Sequence, residues 1–157
     1  NEGCIQLVIP TLLEELQTLE AGPVDRASTE FPFALSAGER RDYTANTIYR
    51  DFGWRRKDPE GSLRINPDDA LSLGVETGDQ ARITTATGSA IARVEVTERM
   101  LPGHVSIPNG FGLDNEDGTR SGVAPNELTS LADRDKFAGT PHHKFVPARI
   151  EAARQSV

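Results

Sequence analysis

The chain has 157 residues, and 24 acidic against 17 basic side chains leave a formal charge of −7, a balance that argues against general nucleic-acid binding. That length suits one domain able to bury roughly 70% of its extended surface, and 36% apolar with 26% charged residues supplies a core. No apolar run approaches the ~20 residues of a membrane span, no signal peptide is visible, and the one cysteine, Cys4, excludes an internal disulfide or a multi-cysteine metal centre within the chain.

Fourteen glycines and ten prolines divide the rest into short elements, so a small, turn-rich, cytoplasmic domain is expected. The chain starts at Asn1 rather than Met, and the apolar Ile5, Leu7, Val8 and Ile9 need a cover; a segment of a longer protein is the expectation. Thr11 with Glu14 reads as a capping box, and Leu12, Leu13, Leu16 and Leu19 form one helical stripe. Gly22 and Pro23 stop that helix, and the small polar residues to Glu30 read as a linker. The expected division is a linker with a helix over 1–30 and a compact domain over 31–157.

Phe31 to Ser36 (FPFALS) reads as a buried strand leading into Ala37-Gly38-Glu39-Arg40-Arg41, a turn of clustered positive charge. The aromatic, aperiodic stretch through Tyr43, Asn46, Tyr49, Phe52 and Trp54 suits a long loop. Leu63 and Ile65 share one face of a short strand. Asn66 caps a short helix with Pro67 first and Asp68 and Asp69 at its positive end; Ala70, Leu71 and Leu73 give its buried side and Gly74 its end. Turns at Glu76–Asp79, Thr87–Ser89 and Pro102-Gly103 separate alternating strands that contain Ala81 and Ile83, then Ala92, Val94 and Val96, then Val105 and Ile107. Asn109 to Gly122 reads as a loop, Asn126 to Leu131 as a short helix and Gly139-Thr140-Pro141 as a turn. Phe145, Val146, Ala148 and Ile150 make a closing strand, with fraying from Glu151. Short strands on tight turns point to a small closed barrel, mainly β with short helices.

Three histidines, His104, His142 and His143, lack the spacing of a zinc site. On a strand His142 and His143 would point to opposite faces. Gly38 followed by Arg40 and Arg41 is competent for an anion, since glycine admits backbone amides and arginine supplies a forked donor. Lys144 and Arg149 add positive charge near the other end of the chain, and a barrel that brings both ends together would form a phosphate pocket despite the acidic total. Asn46 and Asn126 suit the edge of a heterocycle; helix capping or turn formation is their other reading.

Four stretches carry a family resemblance: FPFALSAGERRDYTANT (Phe31 to Thr47), LRINPDDALSLGVETGDQARITTATGSAIARVEVTERMLPGHVSIPNGFG (Leu63 to Gly112), APNELTS (Ala124 to Ser130) and GTPHHKFVPARIE (Gly139 to Glu151). Together the chain resembles the C-terminal molybdopterin dinucleotide-binding domain of the molybdenum and tungsten oxidoreductases, the family of formate dehydrogenases, nitrate reductases and dimethyl sulfoxide reductase. The resemblance implies a double-psi β-barrel, preceded by a linker helix joining it to the remaining domains of a parent oxidoreductase. It implies a molybdopterin guanine dinucleotide with molybdenum or tungsten in the intact enzyme, and no tight binding by the isolated domain. Carried over by position, Ser36, Gly38, Glu39 and Arg40 would sit at the phosphates or pterin. Tyr43, Thr44 and Asn46 would continue that wall, Asn126 would meet a pterin edge, and His143 and Lys144 would lie near it. The family places its metal ligand and iron–sulfur cysteines in other domains, so this chain alone would not turn over substrate. The alternatives are a non-enzymatic double-psi interaction module and a small hydrolase using His142 or His143.

Overall fold

A computed structural model of the chain describes residues 3, 5, 8–18, 27–41, 58–114 and 118–153. The first helix, α1, runs Pro10–Gln17, with Pro10 at its first position and Ile9 before it. Ile9 has no side-chain oxygen to cap with, and the expected capping box at Thr11 is not used. The stripe of Leu12, Leu13 and Leu16 remains exposed; Leu19, Gly22 and Pro23 lie outside the described residues.

Strand β1 covers Phe33–Glu39. Strand β2 (Leu63–Ile65) precedes helix α2 (Pro67–Leu73), and β3 (Gln80–Thr85), β4 (Ser89–Val96) and β5 (His104–Pro108) follow. Where one loop was expected, Leu113–Asp114 and Arg120–Ser121 pair as β6 and β7. A 3-10 turn, Pro125–Glu127, replaces the expected helix over Asn126 to Leu131. The closing strand β8 is Val146–Ala152. It does not fray at Glu151, because Glu151 pairs with Arg82 and Ala152 with Ala81.

Helix α2 begins and ends as its residues dictate. The Asn66 side chain accepts from the Asp68 amide at 2.9 Å, and Gly74 closes the helix with φ 66°. Only part of its expected apolar side is buried: Ala70 is in the core, while Leu71 is 82% exposed. Successive helical residues lie about 100° apart, so a single-turn contact through Ala70 turns its neighbour to solvent.

Six strands close a barrel in the order β1-β5-β2-β4-β3-β8. Two pairs are parallel, β1 with β5 and β2 with β4, and β8 completes the wall by running antiparallel to β1 on one side and β3 on the other. This mainly β, closed architecture is the double-psi β-barrel that the resemblance implies. Leu35, Leu63, Ile65, Ile83, Val105, Ile107 and Leu128 are fully buried and fill it. No helix among the described residues is long and apolar enough to cross a membrane.

Candidate functional site

Ala37-Gly38-Glu39, expected as a turn, is the end of β1. The pairing with β5 carries the strand onward, from Ala37 opposite Ile107 to Glu39 opposite Pro108, and Gly38 is the extra residue between them. It is a β-bulge. Gly38 has φ +90°, and a Cβ there would lie 2.4 Å from Asn109 Oδ1. Both the backbone conformation and the close approach require glycine.

The bulge joins segments 106 residues apart in sequence. Lys144 Nζ donates to the Gly38 carbonyl at 2.7 Å. The Ala37 amide donates to the His143 carbonyl at 2.8 Å, and the Asn109 amide to the Glu39 carbonyl at 3.1 Å. His143 and Lys144 lie in a turn ahead of β8, so the opposite-face argument for two histidines on a strand does not apply to them. The turn forms because the His143 amide is drawn back to the Pro141 carbonyl at 2.9 Å.

Beside the bulge, polar residues meet in one row across four strands. Ser36 pairs in register with Ser106, Ser106 with Arg64, and Arg64 with Glu95. The Glu39 carboxylate reaches over this row, accepting from Ser106 Oγ at 2.8 Å, Arg41 Nε at 2.8 Å and Arg64 Nη1 at 3.2 Å. Burial alone pushes the Glu39 carboxyl up. The hydrogen bonds from Ser106 and Arg41 and the charges of Arg41 and Arg64 together outweigh that, holding it below the usual carboxylate value. The carboxylate of Glu39, a residue expected at the phosphates or pterin, takes part in this network.

The two arginines after β1 divide. Arg41 is buried, its side chain 7% exposed. It bonds Glu39, Asp58 Oδ2 at 2.7 Å and the Ser62 carbonyl at 2.8 Å. Its guanidinium is therefore committed to the fold, against the expectation of a turn with two arginines offered to an anion. Arg40 is exposed, with no ion pair among the described residues.

Asn126 sits in the 3-10 turn Pro125–Glu127, which packs near β1. Ala124 takes the capping position of that turn without a side-chain bond, so capping does not account for Asn126. Its side chain is exposed, and among the described residues its carboxamide has no hydrogen-bond partner. Tyr43, Thr44 and Asn46 lie outside the described residues. The structure thus ties Lys144 to Gly38 and His143 to the neighbouring Ala37, and draws Glu39 into the ion network beside Ser36's row. It leaves Arg40 and Asn126 outward.

Asn109, Ser106 and Asp58 were not singled out from sequence. For Asn109 a signal existed: it lies two residues beyond Ile107 of an expected strand, and pairing of that strand beside Gly38 would bring it close.

A cavity of about 220 Å³ opens next to the His143 turn, lined by Phe31, Thr87, Thr129, His142, His143 and Pro147 among others. His142 Nδ1 lies 4.0 Å from Asp133 Oδ1 at its edge. A larger hollow of about 480 Å³, at Glu60, Gly78, Arg93 and Ala153, shares no residue with it. Among the described residues no group of three or more His, Cys, Asp or Glu side chains is placed to hold a metal ion.

The family model described as Molydopterin dinucleotide binding domain matches residues 33–147. A Staphylococcus aureus (strain USA300) protein with the assigned name Putative formate dehydrogenase is 26% identical over 110 residues, which are 69% of this chain and 11% of that protein. A protein of the same assigned name from strain MRSA252 matches to the same extent. The chain thus spans 11% of the length of these curated relatives. Among solved structures, acetylene hydratase from Pelobacter acetylenicus superposes with a TM-score of 0.67 at 22% identity, covering 79% of this chain and 19% of that one. This last likeness speaks for the fold alone.

Proposed function

Because the chain belongs to the Molydopterin dinucleotide binding domain family, we propose that it forms one wall of the site for molybdopterin guanine dinucleotide in a longer, cytoplasmic molybdenum or tungsten oxidoreductase of the formate dehydrogenase kind. Residues 31–157 are the binding domain in this reading, and residues 1–30 lead to it from the other domains. The observation that supports it best is the contrast between committed and uncommitted polar groups. Arg41 and Glu39 are held by the fold, whereas Arg40 and Asn126 are exposed and keep their hydrogen-bonding groups unpaired among the described residues.

The residues present fit such a group. The guanidinium of Arg40 matches a diphosphate, with the Lys144 ammonium adding positive charge from the bulge. The carboxamide of Asn126 both donates and accepts, as a pterin edge requires. Ser36, Gly38, His143 and the 43–46 segment complete the proposed wall. When bound, the cofactor's metal supplies the oxidation–reduction chemistry; the residues of this chain bind and orient it.

The test uses the whole protein that contains this chain. Guanine nucleotide and molybdenum or tungsten per polypeptide are measured for the wild type, Arg40→Ala and Asn126→Ala. Each substitution is expected to lower retained nucleotide about fivefold, the worth of one hydrogen bond. Wild-type nucleotide content in both variants would overturn the reading and favour the interaction module.

A further inference from the structure

We propose that Thr85 and Gly88 are positioning residues for Asn126, fixing from the β3–β4 turn the place its carboxamide occupies. The inference rests on the reading of Asn126 as a cofactor contact.

Thr85 is one of two buried polar side chains in the barrel wall, 5% exposed. Its hydroxyl donates to the Leu128 carbonyl at 3.0 Å, joining segments 43 residues apart. The same oxygen accepts from the amides of Thr87 at 3.2 Å and Gly88 at 3.3 Å. One hydroxyl therefore organises the β3–β4 turn and ties it to the residue that ends the 3-10 turn.

Gly88 is glycine for a different reason from Gly38. It does not lie in the left-handed region, so its backbone conformation does not demand glycine. Space does: a Cβ at position 88 would lie 2.7 Å from the Glu127 carbonyl oxygen. The turn therefore touches the two carbonyls that follow Asn126, one through a hydrogen bond and one through close approach.

The 3-10 turn is held on its other sides as well. Pro125 is buried beneath it, the Leu128 side chain is fully buried, and Arg120 pairs with Glu127. Asn126 stands between these anchors with its side chain outward. A shift of the β3–β4 turn moves the backbone that carries it.

The experiment compares Thr85→Val, Thr85→Ser and Gly88→Ala in the whole protein, each alone and combined with Asn126→Ala. Acid-released guanine nucleotide per polypeptide is the readout, and the urea midpoint is followed in parallel. Thr85→Val and Gly88→Ala are expected to lower retained nucleotide about fivefold, Thr85→Ser to restore it, and neither to lower it further beside Asn126→Ala. A purely structural role would lower it by the same factor in both backgrounds, and that result would overturn the inference. Wild-type nucleotide in both Thr85→Val and Gly88→Ala would do the same. Should Thr85→Val not fold, Gly88→Ala and Thr85→Ser carry the comparison. Wild-type nucleotide in Asn126→Ala alone would instead remove the reading beneath it.

Discussion

Lys144 donates its ammonium to the Gly38 carbonyl at 2.7 Å, across 106 residues of sequence. The bond fixes the turn before β8 to the bulge of β1, and it consumes one of three ammonium protons. Lys144→Met keeps the aliphatic stem and removes the donor. A stability loss of about 1 kcal/mol is expected, below the range of a buried charged hydrogen bond because the side chain is partly exposed. Urea denaturation of the 157-residue chain checks it; an unchanged midpoint would show that the contact contributes nothing.

At Gly38 two costs can be separated. Gly38→Ala forces a side chain at φ +90° and into Asn109 Oδ1. The backbone cost is about 1 kcal/mol, and the clash adds a similar amount until Asn109 moves. In the Asn109→Ala background only the backbone cost should remain, so the two substitutions combine to less than their sum. Additivity in a thermal-denaturation cycle would refute the close approach.

Arg41→Met removes the buried cation that Glu39 and Asp58 share. Asp58 loses its cation and Glu39 keeps only Arg64 and Ser106, which costs about 3 kcal/mol. Arg41→Lys should recover only part of it, because an ammonium cannot reproduce the fork that reaches Glu39, Asp58 and Ser62 together. Comparable stability of the lysine variant and the wild type would contradict that geometry.

Glu39 makes the fold sensitive to acid. Its carboxyl is held below the usual value, so the folded state takes up its proton less readily than the unfolded chain. The stabilisation is complete above the unfolded value of about 4.3 and is lost as pH falls through the lower folded value. Glu39→Gln cannot titrate. The wild type should therefore exceed Glu39→Gln in stability at pH 7, with the gap closing below about pH 4. A gap independent of pH between 3 and 7 would exclude this linkage.

Much of the fold was legible where local chemistry sufficed. Asn66, Pro67 and Gly74 specify both ends of α2 by themselves, and the alternation in β3 and β4 states its own burial. The failures share a cause. Gly38 among charges reads locally as a turn, and only the neighbouring β5 holds it in a strand. Arg40 and Arg41 are indistinguishable as letters; Arg41 becomes structural through Asp58, Ser62 and Ser106, which lie 17, 21 and 65 residues away. Asn126 was legible as a residue worth noting, but its freedom from capping depends on the geometry of its turn.

The position of β8 between β1 and β3 bears on how the protein is made. Phe33 waits for Ala148, and Ile83 for Ile150. With ribosomes adding ~5–20 residues per second, the edge of β1 stands unpaired for on the order of ten seconds before its partner is synthesised. During that interval an apolar strand edge is open to pairing with other nascent chains. Slowing synthesis after Pro108 should therefore raise aggregation more than slowing it before Phe33.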